Sequence, residues 1–498
     1  MCRACCATLA LFVRAVGAES ARSSVILTAV STAVPPASSS RAIAPGPKGH
    51  PLFGMLPEFR GDRLSFLVRT ARTYGAVARF MIRNRSVFLV SDPAGVKRVL
   101  QDNADNYGRK TRSVDALKET LGNGLLTTTG PPWWRNRRLA QPSFHKQRLA
   151  GFAGIMASSS ADFVERLART GGGGDAARAP VDIVPEMSRL TLRILGLCLF
   201  DRDLTDEADA VGGALQVVLH HTIDKLAALF PLPGAVPTPK NLRFRAALRA
   251  LDRVVLSLIA ERRRDGADRG DLLSMLLAAR DEDTGEGLSD RQLRDEVMTL
   301  LLAGHETTAM ALSWTFYLLS LHPGARRTLE KEVDAAPPGG GNGNGAAGAG
   351  PGDLARLRYT RMVLDEALRL YPPAWVVTRS ADAPDEIGGF AIPAGSRVLV
   401  SPYVTQHDPA LWDDPEGFDP ERFAPEADAG RPRYAYFPFG GGPHLCIGAG
   451  FATMEATIVL ATVARRLRLD LEPGRPVTID PLVTLRPKPG IFVTARPR

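Results

Sequence analysis

The chain has 498 residues and a formal net charge of +9, with 45% of its residues hydrophobic and 23% charged. That balance fits a globular protein with a large core and excludes disordered, collagen-like and disulfide-rich classes. The basic surplus does not point to nucleic acid: the first 57 residues hold five basic residues against one acid, and the rest holds 57 against 52, spread thinly along the body.

Residues 1–44 are rich in Ala and Ser, with several Arg and the single acid Glu19. Their longest apolar stretches, at 9–13 and 25–30, are too short to span a bilayer. A targeting-like leader, a weak anchor and a disordered tail all fit this segment, and the disordered tail is preferred. Cys2, Cys5 and Cys6 crowd it, Cys198 lies in the apolar run LRILGLCLF, and Cys446 stands alone in a Gly-rich loop. Cysteines so placed make no disulfide framework, which points to a reducing compartment and a cytoplasmic location.

The run APGPKG at 44–49 opens the folded body. A helical pattern follows at 64–74, then two strand-like runs at 77–82 and 86–90 joined by a tight polar turn. Asp92-Pro93 starts another helix, with Pro at its first position. From about 133 to 335 helical periodicity dominates, broken by GGGG at 171–174 and PLPGAVPTP at 231–239. Residues 335–352, AAPPGGGNGNGAAGAGPG, cannot pack and read as a flexible insertion. A helix ending at Tyr371 comes next, then short strands to about 404, a loop-rich stretch to Cys446, and a last helix to about 467. Residues 45–498 are therefore taken as one domain, mainly α with a smaller β lobe.

Ser289 and Gln292 have capping-box spacing at the head of a helix that runs to Leu321 and stops before Pro323. Its middle is apolar on every face, so it is central in a large fold or spans a membrane. A membrane span would place His305 and Glu306 near mid-bilayer at a cost of several kcal/mol, so the central position is expected. Glu306 is either paired with an Arg elsewhere or functional, and Thr307 can loosen the local hydrogen-bond ladder. Ala303 and Gly304 beside them suggest a polar notch for a small molecule. A zinc-binding HExxH motif fails because position 309 is Ala309.

The loop Phe439-Gly-Gly-Gly-Pro-His-Leu-Cys-Ile-Gly448 leads into the last helix. It lacks the GK[ST] ending of a phosphate loop and any GxGxxG pattern. Cys446 near a helix start has amide N–H groups and a positive dipole end to favour a thiolate, although a buried structural Cys also fits.

Phe439, Gly442, Cys446 and Gly448 form the pattern FxxGxxxCxG, and AGHETT at 303–308 matches (A/G)Gx(D/E)T. Glu366 and Arg369 form ExxR, Pro420, Arg422 and Phe423 form PxRF, and Trp133 and Arg137 form WxxxR followed by Pro142 and Phe144. With these five motifs in this order, residues 45–498 resemble the cytochrome P450 superfamily of the soluble bacterial type. The resemblance implies the cytochrome P450 fold with a long central helix over the haem.

It implies haem b (iron protoporphyrin IX) with Cys446 as its iron ligand, in a setting shaped by Phe439 and Gly448. Trp133, Arg137, Arg379 and His444 would contact haem propionates. Thr307 would hydrogen-bond oxygen and Glu306 would relay protons. The trio Glu366, Arg369 and Arg422 would be structural and would tie the two sides of the Gly-rich insertion into one unit. The implied reaction inserts one atom of O2 into an apolar small molecule, by hydroxylation or epoxidation. Only 52 residues follow Cys446, so a separate ferredoxin- or flavodoxin-type reductase system is expected as electron source. The alternatives are a peroxide-dependent haem-thiolate peroxygenase and a non-catalytic haem sensor. Segments 106–126, 214–240, 373–378 and 483–487 are expected to line the substrate pocket, while His220 and His221 read as ordinary helix residues. Membrane association and nucleic-acid binding are not expected.

Overall fold

The computed structural model describes residues 42–170, 179–228, 233–280, 285–336 and 354–498. The leader up to residue 41, the GGGG run and nearly all of the 335–352 insertion lie outside the described residues.

The change from alternating to helical patterning separates two lobes. In the strand lobe, β1 (Val77–Ile82) and β2 (Arg85–Val90) form an antiparallel hairpin from Val77↔Val90 to Ile82↔Arg85. They join β3 (Tyr107–Gly108), β4 (Val377–Ala381) and β5 (Arg397–Val400) in a five-stranded sheet of order β1-β2-β5-β4-β3. Only the β2–β5 pairing is parallel. With period-two alternation and both faces covered, β2 is apolar from Val87 to Val90. Phe88 and Val90 pack with Val398 and Val400 on one face, while Val87 and Leu89 pack with Phe66 and Leu67 on the other.

The helical lobe contains α1 (Arg112–Leu121), α2 (Pro131–Ala140), α3 (Lys146–Thr170), α4 (Ile183–Phe200), α5 (Ala208–Ala227), α6 (Asp290–Leu321), α7 (Arg358–Leu370) and α8 (Ala449–Arg466). The 32-residue α6 is about 48 Å long at 1.5 Å per residue. Its capping box is complete: the Gln292 amide donates to Ser289 Oγ at 3.3 Å and the Ser289 amide donates to Gln292 Oε1 at 2.9 Å. Among the described residues, no helix is long and apolar enough to cross a membrane.

The central helix packs on α4, where Thr191 Oγ1 donates to the His305 carbonyl at 3.0 Å. A Cβ on Gly304 would sit 2.2 Å from Leu195 Cδ1. The Cβ side of Gly304 is therefore filled by a neighbouring helix, while Ala303, Gly304 and Thr307 still line a cavity as the notch expectation had it. The exposed residue on this stretch is Ala303, with Thr307 half-buried beside it.

On α7, Glu366 takes Arg369 Nε at 2.7 Å and Nη2 at 2.8 Å, with Arg422 Nε 3.4 Å away. Arg369 also donates to the carbonyls of Gln406, Pro415 and Gly417 at 2.7–2.8 Å. The trio is formed, but all three residues follow the Gly-rich insertion, so they do not bridge it. Glu332 does so instead, accepting from the Tyr359 amide at 2.6 Å, the Thr360 amide at 2.8 Å and Thr360 Oγ1 at 2.7 Å.

Candidate functional site

Backbone shape fixes the cysteine loop first. Gly442 has φ +63°, and a Cβ there would lie 1.8 Å from the Leu100 carbonyl oxygen, so only glycine fits. The Cys446 amide donates to the Phe439 carbonyl at 3.0 Å, which closes the loop just before α8. Cys446 faces a cavity of about 760 Å³ and so has accessible surface, although protein surrounds it closely. Burial pushes its pKa up, against the Gly448 amide, the Arg137 charge and the Ala449 amide, which pull it down. The helix-start amides are present as expected, but the protein alone does not favour the thiolate. A metal that takes the sulfur supplies the missing charge.

Thr307 and Glu306 line the same cavity. Thr307 Oγ1 donates to the Ala303 carbonyl at 2.8 Å, so its oxygen lone pairs remain available. Glu306 is buried, and its Oε1 accepts from Arg486 Nη1 at 2.7 Å and Thr484 Oγ1 at 3.1 Å. The distant arginine that sequence patterning left open therefore exists. Glu306 Oε2 has no protein partner among the described residues. His305 turns away from the cavity: it is fully buried, its Nδ1 lies 2.8 Å from the Leu301 carbonyl, and burial lowers its pKa.

A cluster of positive groups lies beside the cysteine loop. The Trp133 and His444 rings meet at a centroid distance of 4.0 Å, and Arg137 Nη1 donates to the Leu445 carbonyl at 2.9 Å. Arg109 Nη1 is 3.3 Å from His444 Nδ1, and its Nη2 donates to the Leu126 carbonyl. Burial pushes both Arg109 and Arg379 down to about 10, the latter helped by the Arg109 charge. Burial first, then Arg109, Arg379 and Arg137, push His444 down to about 3, so it is neutral. Among the described residues, none of the three arginines has a carboxylate partner. Buried guanidiniums without counter-charges are costly, so the cluster is built for an anionic ligand. A flat group with two carboxylates and an iron that takes a sulfur ligand matches this donor set, so the residues fit a haem.

The structure brings Trp133, Arg137, Glu306, Thr307, Arg379, Phe439, His444, Cys446 and Gly448 to one cavity. The cavity also draws on the four segments expected to line a substrate pocket, for example at Val114, Leu219, Trp375 and Val483. His220 and His221 do not contribute: His221 stacks on Phe244 at 4.1 Å, and His220 Nδ1 lies 2.9 Å from the Gln216 carbonyl. Sequence patterning missed Arg109 and Arg486, since no local spacing marks either. It also missed Glu296, whose Oε1 accepts from Asn136 Nδ2 at 2.5 Å and whose Oε2 accepts from the Leu125 amide at 3.0 Å. Glu296 thereby ties α6 to α2, the helix that carries Trp133 and Arg137.

A long central helix over a cysteine loop, with an anion-seeking cluster at its side, defines a haem-thiolate oxygenase. The cytochrome P450 family model matches residues 44–494. Cyclooctatin synthase from Streptomyces melanosporofaciens is 38% identical over 91% of this chain and 94% of its own. Cyclooctat-9-en-7-ol 5-monooxygenase from the same organism is 34% identical over 90% and 93%. Pentalenene oxygenase from Streptomyces avermitilis is 34% identical over 82% and 87%. The solved cytochrome P450DA heme domain superposes with a TM-score of 0.80 at 29% identity, covering 92% of this chain and 98% of that one. The chain belongs to the cytochrome P450 family and is a cytochrome P450 monooxygenase with a haem-thiolate cofactor, using O2 and a redox partner.

Proposed function

We propose that the cavity holds haem b with Cys446 as the iron ligand, and that residues 45–498 act as one catalytic unit. Arg109, Arg137 and Arg379, with Trp133 and His444, would hold the propionates. Phe439 fixes the thiol through its carbonyl, and Gly448 starts the helix whose amides face the sulfur. When bound, the haem supplies O–O cleavage and insertion of one oxygen atom into a C–H or C=C bond.

The chain's own residues manage water and protons. Thr307 Oγ1, anchored on Ala303, accepts a hydrogen bond from a water or a protonated ligand in the cavity. Glu306 Oε2 passes a proton through water towards Thr307, while Arg486 and Thr484 steady Oε1. Electrons come from a separate ferredoxin- or flavodoxin-type system in the cytoplasm. The substrate has a mainly apolar skeleton, in keeping with a lining that includes Leu219, Leu302 and Trp375 and with relatives named for cyclooctatin and pentalenene.

The observation that carries this reading is that nine residues from separate segments meet on one cavity. The test is the spectrum of the reduced, CO-bound protein. A thiolate-type Soret band is expected, and a colourless protein or a histidine-type band refutes the role of Cys446. Turnover with NADPH and surrogate partners then separates the monooxygenase from its rivals. Turnover with peroxide alone identifies a peroxygenase, and turnover with neither a sensor.

A further inference from the structure

Nine arginines line the cavity against one carboxylate, Glu306, which Arg486 already neutralises. Arg109, Arg137 and Arg379 belong to the haem cluster described above. Six others remain: Arg60, Arg63, Arg83, Arg85, Arg112 and Arg397. Arg60, Arg85 and Arg112 are exposed, so this part of the lining meets solvent. Among the described residues, none of the six makes an ion pair.

Three of them give single donors to carbonyls: Arg63 to Pro481 at 3.1 Å, Arg397 to Lys110 at 2.6 Å, and Arg83 to Ala228 beyond the end of α5. Each guanidinium has five N–H donors, so most stay free. Asp480 and Asp224 face Arg63, and Asp115 and Asp382 face Arg397, without pairing. Arg83 feels only burial and the neighbouring charge of Arg112, and Arg397 feels burial and then Arg85. Like charges are thus gathered with little to balance them.

The backbone adds an independent observation. Arg83 sits in the β1–β2 turn at φ +56°, a left-handed conformation that favours Gly or Asn. Arg85 lies on β2, two residues from Val87, which pairs with Arg397 across β5. Positions 85 and 87 alternate to the same face, and both line the cavity. Arg112 acts on Arg83 and Arg85 acts on Arg397, so the four guanidiniums form two like-charged pairs on the cavity lining, joined through the β1–β2 turn that carries Arg83 and Arg85.

We infer that the substrate carries an anionic head group, a carboxylate or a phosphate, seated among Arg83, Arg85, Arg112 and Arg397, with its apolar skeleton reaching towards Thr307. This inference rests on the monooxygenase reading and narrows its substrate class. The head group would fix how deep the skeleton sits, and so which carbon is oxidised.

The test is Soret-shift titration of the haem-loaded full chain with matched probes. These are tetradecanoic acid, its methyl ester and tetradecyl phosphate, with abietic acid and its methyl ester as a second skeleton. At least one anionic probe should bind about ten- to a hundredfold more tightly than its neutral partner, the gain typical of charge-assisted hydrogen bonds. The preference should shrink as salt rises. Whether the acid or the phosphate shows it decides the head group. In the variant R83N/R85Q/R112Q/R397Q the ratio should fall to about one while ester binding holds. If that variant loses haem, the exposed single changes R85Q and R112Q carry the test, each lowering the ratio. The inference is overturned if no anionic probe outbinds its neutral partner, absence of binding included, or if the preference survives the substitutions. Failure of the underlying reading is separate: it shows as loss of the thiolate-type CO band in the ligand-free wild type.

Discussion

Glu296 is the point at which pH should reach the fold. Burial pushes its carboxyl from 4.5 up to about 7, and the Leu125 amide and Asn136 only partly offset that rise. A folded-state pKa above the unfolded one means that the native state binds the proton more tightly. Below about pH 4.5 both states are protonated and the group contributes no difference. Between about 4.5 and 7 the unfolded chain ionises first, so stability falls as pH rises. Above 7 the full penalty applies: about 2.5 pKa units at 1.36 kcal/mol each, or about 3 kcal/mol. Glu296→Gln should remove this slope. Its Oε1 can accept from Leu125, and its Nε2 can donate to Asn136 once that amide flips. Denaturant midpoints, followed by haem absorbance and Trp fluorescence from pH 4.5 to 8.5, would measure it. The variant should match wild type at the acid end and exceed it by up to about 3 kcal/mol at pH 8. A wild-type-to-variant difference that stays constant across this range refutes the argument. Glu296→Ala is the control: it strands two buried donors at about 1–3 kcal/mol each and should weaken haem retention through α2.

Thr307→Ala should keep haem and consume O2 but release it largely as peroxide, read as the ratio of product to NADPH; unchanged coupling would remove the role given to Thr307. Glu366→Ala leaves Arg369 buried without its counter-ion, at a cost of about 3–5 kcal/mol, and should abolish the haem-loaded fold, as seen by absorbance after expression. Gly304→Ala drives a methyl to within 2.2 Å of Leu195 Cδ1 and should destabilise by about 1–3 kcal/mol. Leu195→Ala costs about 2–5 kcal/mol on its own, and the double variant should lose less than the sum of the two single losses in a thermal melt. Independent, additive effects would show that the two residues are not in contact.

What the sequence made legible was local. The capping box of α6, the hairpin of β1 and β2, the start and end of α8 and the spacing of Glu366 and Arg369 all depend on residues a few positions apart, and each formed. The nine residues that line the cavity could be picked out because their motifs are also short. What stayed hidden depends on long-range meeting. Arg486 reaches Glu306 across 180 residues, and Arg109 reaches His444 across 335. Gly304 declared itself small, but only the fold shows that Leu195 fills the space. The helix start at Cys446 announced a dipole that favours a thiolate, while the burial that outweighs it comes from the whole body. The same holds for charge. The +9 surplus looked evenly spread along the chain, because the arginines that gather on the cavity come from separate segments. Folding concentrates them in two places, one beside the cysteine loop and one where the cavity meets solvent. The proposed haem propionates would occupy the first, and the proposed anionic head group the second.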